Sequence, residues 1–63
     1  MAEKLVKYYK YIGDSMGIDG RMKLAFETKI PSLSAANFPD SPENIQKFKD
    51  AIQKITGNPA PNL

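Results

Sequence analysis

Apolar residues recur at helical spacing in three segments of this 63-residue chain. The clearest case is 42–56, where the spacings are three, four and three residues: Ile45, Phe48, Ile52 and Ile55. One apolar stripe of this kind predicts an amphipathic helix. Ser41 is a suitable N-cap, Pro42 suits the first helical position, and Gly57 can adopt the left-handed conformation that ends a helix. We therefore predict a helix over 42–56.

The N-terminal segment has a similar pattern. A helix over 3–16 would place four residues on one face, with Tyr8 at its edge: Leu5, Tyr9, Ile12 and Met16. Gly17 is the expected stop, and Gly13 is explained by close approach of another helix or by fraying of the last turn.

A third helix is predicted over 19–29, with Asp19 as its N-cap. Ile18, Met22, Ala25 and Phe26 would form its inward face. Leu24 would point outward, because successive residues of a helix are about 100° apart. The pair Ile30-Pro31 disfavours helical geometry at Ile30 and should end the helix there.

The connection 31–40 contains turn formers together with apolar residues. Ser32 could cap one extra helical turn over 33–37, with Leu33 and Phe38 filling the gap between neighbouring helices. No segment shows the alternation of a strand. The expected fold is all-α, a small three-helix bundle in a single domain over 1–57, followed by a flexible tail over 58–63.

Composition limits the classes of function. Apolar and charged contents of 41% and 25% are typical of globular domains and argue against disorder. The chain has neither Cys nor His, which removes disulfides and the usual ligands of zinc, haem and iron–sulfur clusters, so we expect no metal and no cofactor. No apolar run is long enough to span a membrane, and lysines interrupt the N-terminal segment where a signal peptide would be apolar. A soluble, cytoplasmic protein is the expectation.

No pattern of catalytic residues is present. A Ser–His or Cys–His pair is excluded, and no carboxylate lies in an apolar run that would raise its pKa. Asp14 and Asp19 are interpreted as a surface acid and an N-cap rather than as a cation site. The spacing of Gly13, Gly17 and Gly20 does not match a phosphate-binding loop. We expect no enzymatic activity.

Two features raise nucleic-acid binding as the alternative function. The run KYYKY over 7–11 alternates bases with aromatic residues, but a helix would leave only Tyr11 clearly exposed, too few for a stacking platform. Gly13, Gly17 and Ile18 fit part of a helix-turn-helix template, whose second helix would offer three cations: Arg21, Lys23 and Lys29. The template fails at Lys23, where it requires an apolar residue, and a net charge of +2 is low for a dedicated nucleic-acid binder.

The function ranked first is a protein-interaction or self-associating module. A small core usually needs reinforcement, and without disulfides or metal the remaining sources are tight packing and association. Leu24, Tyr11 and Val6 lie outside the predicted inward faces of two adjacent helices. Together they would form one apolar interaction surface.

Overall fold

A computed structural model describes residues 3–63, which contain two α-helices and one short 3-10 helix and no strand. Helix α1 spans Glu3–Thr28, the 3-10 helix spans Ser32–Asn37, and helix α2 spans Pro42–Thr56. Helix α1 is broken at Gly17 and therefore consists of a first arm, 3–16, and a second arm, 18–28. The two arms and α2 form the three-helix bundle predicted from the sequence, and the 3-10 helix is the extra turn expected in the connection. It begins at Ser32, so Ser32 is not its N-cap as expected, and no side chain caps this turn at Pro31.

The break at Gly17 joins the two arms without any intervening loop. Gly17 has φ 68° and ψ −151°, a region of backbone conformation that is essentially restricted to glycine. The second arm ends at Thr28, close to the predicted end, and Lys29 follows in the left-handed conformation with φ 60°. The Lys29 N–H donates to the Ala25 carbonyl at 2.8 Å, which closes the last turn.

The two arms pack against each other as an antiparallel hairpin. A Cβ atom on Gly20 would lie 2.7 Å from the Cβ of Met16 and 3.0 Å from Cγ1 of Ile12, so the close approach depends on the absence of a side chain there. Gly13 in turn is covered by the guanidinium of Arg21. Further from the joint, the hydroxyl of Tyr9 donates to the carbonyl of Ile30. The residues in contact are separated by more of the chain the further they lie from Gly17, as antiparallel arms require.

The core lies between the arms and α2, and Phe48 of α2 is central to it. Its ring centroid is 5.5 Å from that of Tyr9, edge to face, and 6.3 Å from that of Tyr8. Such aromatic pairs add about 0.5–1.5 kcal/mol beyond their burial. The fully or nearly fully buried apolar residues are Leu5, Tyr8, Tyr9, Ile12, Leu24, Ile30, Ala35, Phe48, Ala51 and Ile52.

The predicted inward faces of the first arm and α2 are largely confirmed. In α2, Phe48 and Ile52 are buried, while Ile45 and Ile55 are half-buried and pack against the core. In the first arm, Leu5, Tyr9 and Ile12 are buried as predicted. Tyr8 is buried as well, because its ring packs near that of Phe48 and its hydroxyl donates to the Pro61 carbonyl of the C-terminal segment. Met16, expected inside, is 37% exposed.

The predicted orientation of the second arm is wrong. Leu24 is completely buried, whereas three residues assigned to the inward face are exposed: Ile18 by 74%, Met22 by 67% and Phe26 by 84%. The buried face consists instead of Gly20, Leu24 and Thr28. The joint at Gly17 changes the direction of the chain. The face of the second arm that meets the first arm is then the one on which the two backbones can approach closely, and that face contains Gly20.

Both predicted ends of α2 are confirmed. The hydroxyl of Ser41 accepts from the N–H of Asn44 at 3.2 Å. Gly57 has φ 79°, and its N–H donates to the carbonyl of Gln53 at 2.8 Å. Lys54 forms a salt bridge with Glu27 of the second arm, at 3.0 Å, which links α2 to the hairpin.

The connection 31–40 and the C-terminal segment 58–63 both contact the helices. In the connection, Ala35 is buried and Phe38 packs against the core, but Leu33 is 96% exposed and does not fill a gap as predicted. The C-terminal segment 58–63 was predicted as a flexible tail, yet the structure places it against the bundle. The hydroxyl of Tyr8 donates to the Pro61 carbonyl at 2.8 Å, and Ala60 and Leu63 pack against the core.

Candidate interaction surface

The main exposed apolar feature of the bundle is a row of three side chains on the second arm. We define the apolar stripe as Ile18, Met22 and Phe26, which follow one another at intervals of four residues. Residues four apart are neighbours on a helix, and the three together fall within about 80° of its circumference. The stripe therefore forms one continuous ridge on the side of the second arm that faces away from the core.

The two edges of the stripe have different chemistry. One edge carries Asp19 and Lys23, which are both exposed and are four residues apart. The opposite edge carries Ala25, which is half-buried and packs against the core. Arg21 also lies beyond that edge, but its guanidinium covers Gly13 of the first arm. The stripe thus has a charged edge on one side and a small residue on the other.

The interaction surface predicted from the sequence is not assembled as a patch. Val6 is 45% exposed on the first arm and Tyr11 is half-buried, whereas Leu24 is completely buried and cannot be part of any surface. The signal that could have corrected the assignment is the series Gly20, Leu24 and Thr28. Two small residues that flank a leucine at four-residue spacing allow a close helix contact, and glycine is favoured where backbones meet.

The cations of the nucleic-acid alternative do not share one helix face. Arg21, Lys23 and Lys29 are all exposed, but Arg21 and Lys23 lie about 160° apart around the second arm, and the Arg21 guanidinium covers Gly13 of the first arm. The helix-turn-helix template requires an apolar residue inside at the position of Ile18, which is 74% exposed here. In the run KYYKY, Tyr8 and Tyr9 are buried and Tyr11 is half-buried, so these rings present no stacking platform.

Two shallow hollows are present elsewhere on the surface. One, of about 230 Å³, lies between the second arm and α2 and is lined by Glu27, Lys47, Asp50, Ala51 and Lys54. The other, of about 450 Å³, lies along residues 36–39. The charged side chains of the first are exposed, and Lys54 and Glu27 already form a salt bridge there. Neither hollow combines an apolar interior with convergent buried polar groups, as ligand sites usually do.

Tyr9 of the first arm has a shifted pKa. Burial raises the pKa of its hydroxyl above the ordinary value, and a hydrogen bond with Thr28 acts in the opposite direction. The hydroxyl donates to the Ile30 carbonyl, while Thr28 Oγ1 donates to the Leu24 carbonyl at 2.7 Å and accepts from the Ile30 N–H at 3.3 Å. This network satisfies the polar groups at the end of the second arm, so its role is structural.

Two further properties concern the part of the chain that the structure describes. Across residues 3–63, no three Asp, Glu, His or Cys side chains come together in a group that could hold a metal ion. None of the helices in this range has the length and apolar character needed to cross a membrane.

Comparisons of the chain with known protein families, with curated proteins and with solved structures gave no match.

Proposed function

We propose that this chain is a small protein-interaction module without catalytic activity, and that it binds through the apolar stripe of Ile18, Met22 and Phe26. The observation that carries the proposal is their exposure, which is between 67% and 84% for three large apolar side chains on one helix face. A single exposed apolar residue is normal on a protein surface, but a contiguous row is not.

The size of the stripe supports this interpretation. A large side chain has roughly 150–250 Å² of surface, so the exposed part of the stripe is on the order of 400 Å². The total accessible surface of the domain is 4250 Å², so the stripe is close to a tenth of it. Patches of roughly 300–600 Å² on a monomer are often functional. The stripe reaches this size on a far smaller protein than the average.

The stripe also has no visible role in folding. The second arm already contributes Leu24 to the core and Gly20 to the helix contact. Replacing the exposed residues by polar ones would remove no buried contact and would increase solubility. An interaction surface accounts for residues that folding does not need.

The test is site-specific photo-crosslinking in the cell that produces the protein. A benzophenone side chain at Ile18 should yield adducts of defined mass, and the same group at the exposed Gln53 of α2 should not. The double substitution Met22→Ser with Phe26→Ser should abolish the adducts at Ile18 while the melting temperature changes by only a few degrees, because both residues are exposed. Adducts of equal yield at Gln53, or none at Ile18, would contradict the proposal.

Binding of nucleic acid remains the alternative, with Arg21, Lys23 and Lys29 as the exposed contacts. Titration of the protein with duplex DNA at several salt concentrations tests this alternative. The affinity for DNA should fall steeply with salt if several phosphates are contacted. We expect only weak, sequence-independent binding, because three exposed cations neutralise few phosphates.

A further inference from the structure

We infer that the apolar stripe is covered by a second copy of this chain, whose second arm packs antiparallel across a two-fold axis beside Met22. This inference rests on the proposed function, since it names the partner of the same surface. Three properties of the second arm carry it: the symmetry of the stripe, the placement of charges along one edge, and the small residue on the other edge.

The stripe is self-complementary when it is reversed. In an antiparallel pair centred on Met22, the two Met22 side chains meet at the axis, and Ile18 of each copy faces Phe26 of the other. A two-fold contact requires one patch to match itself in this way. The branched Ile18 then lies against the ring of Phe26, and the flexible Met22 fills the space at the axis.

The charged edge is self-complementary in the same arrangement. Asp19 is three residues before Met22 and Lys23 is one residue after it, on the same edge of the stripe. Reversal brings Asp19 of one copy level with Lys23 of the other to within about 3 Å along the helix axis, at 1.5 Å per residue. Two such acid–base pairs form by symmetry. The two Lys23 side chains also approach each other, but each lies between an Asp19 of its own chain and one of the second copy.

The other edge allows the helices to come close. Ala25 lies there and presents only a methyl group, while Arg21 is held over Gly13 on the first arm. No long charged side chain therefore has to be buried when the two stripes meet, which avoids the cost of taking an unpaired charge out of water.

The area sets the strength of the contact. Two stripes on the order of 400 Å² each bury less than the roughly 1,200 Å² at which stable interfaces begin. The pair should thus form reversibly, with a dissociation constant in the high micromolar to millimolar range. At low concentration the chain is a monomer whose stripe is free.

The experiment is sedimentation of the full chain over a range of concentrations up to the millimolar, with two charge variants. Asp19→Lys makes the charged edge entirely basic, and Lys23→Asp makes it entirely acidic. Each variant alone should associate at least tenfold more weakly than the parent chain. An equimolar mixture of the two should associate at least as strongly as the parent, because each acidic edge then meets a basic one.

The matched control is Lys47→Asp on α2, which changes the net charge as Lys23→Asp does at an exposed site away from the stripe. It should associate like the parent. Circular dichroism of every variant verifies that the fold is retained. If Asp19→Lys perturbs the start of the second arm, Lys23→Asp alone still tests the charged edge, because it replaces an exposed side chain. Lys23→Asp and Lys47→Asp have the same net charge, so a loss of association in the first alone cannot be a general effect of charge. Such a loss, followed by rescue in the mixture, would support a contact in which the charged edges of two copies meet.

Two outcomes would overturn the inference. The first is a parent chain that stays monomeric at millimolar concentration; if Ile18 still yields stripe-dependent adducts with other proteins, the proposed function stands and only the second copy is rejected. The second is self-association in which both charge variants behave like Lys47→Asp and the mixture shows no recovery. That result would place the contact in a different register or on a different surface.

Discussion

Helix α2 and the second arm of α1 are both short amphipathic segments, but they relate differently to the core. In α2 the apolar stripe is the buried face, with Phe48 and Ile52 fully covered. In the second arm the most apolar face, Ile18 to Phe26, is exposed, and the buried face is Gly20, Leu24 and Thr28. An apolar stripe therefore predicts an amphipathic helix, but it does not determine which face of that helix packs against the core.

The difference arises from how each segment reaches the core. Helix α2 follows a long connection and can rotate until its apolar stripe faces the hairpin. The second arm follows directly on a single residue, Gly17, whose unusual conformation fixes the direction of the chain. The packing of the arms is then set by the close approach at Gly20 and by the hydrogen bond from the Tyr9 hydroxyl to the Ile30 carbonyl. Backbone geometry outweighs the apolar pattern in this arm.

The largest expected effect contrasts the two faces of the second arm. Leu24→Lys should unfold the domain, because it replaces a fully buried side chain by a charge, at a cost of at least the roughly 3–5 kcal/mol that so small a core supplies. Met22→Lys, two residues away and 67% exposed, should change stability by no more than about 0.5 kcal/mol. Thermal unfolding followed by circular dichroism compares the two. If Met22→Lys were the more damaging variant, the orientation of the second arm would be the reverse of the one described.

A smaller effect is expected at the joint. Gly17→Ala should cost about 1–3 kcal/mol, because a residue with a Cβ atom is strained at φ 68° and ψ −151°. Gly57→Ala is the matched control: it also has positive φ and open space around the Cβ position, but its conformation is the ordinary left-handed one. Its cost should be about 1 kcal/mol.

Urea denaturation of both glycine variants would measure this difference from the shift of the midpoint at constant slope. Equal costs at the two positions would mean that the joint at Gly17 imposes no special conformation. The close packing of the arms would then have to be explained by Gly20 alone.

The smallest effect concerns the start of α2. Ser41→Ala removes the acceptor for the Asn44 N–H and should cost about 1 kcal/mol. Amide exchange should accelerate at Asn44 before it does at Ala51 in the middle of the helix. Ser15→Ala, on the exposed surface of the first arm, should leave stability unchanged or slightly higher, because alanine is the better helix former. Equal protection of Asn44 in the variant and the parent would show that the cap is dispensable.

The sequence by itself determined the elements and their limits. The caps Ser41 and Gly57, the stop before Pro31 and the joint at Gly17 are local features, and each acts through the backbone of a few neighbouring residues. The stripe of α2 was predictable for a related reason. It is the only apolar face of that helix, so burying it is the one way to remove its apolar surface from water.

Only the tertiary structure decided which face of the second arm is inside and which apolar side chains stay exposed. Leu24 and the stripe of Ile18, Met22 and Phe26 compete for the core, and burial of apolar area alone favours the larger face. Which of the two faces is buried depends on how closely the backbones of the two arms can approach. The close approach occurs at Gly20, which lies against Ile12 and Met16 of the first arm. The contacts of Pro61, Ala60 and Leu63 with the bundle are likewise non-local. The spacing of residues along the chain does not specify these inter-helix distances, because they arise only when separate helices are packed together.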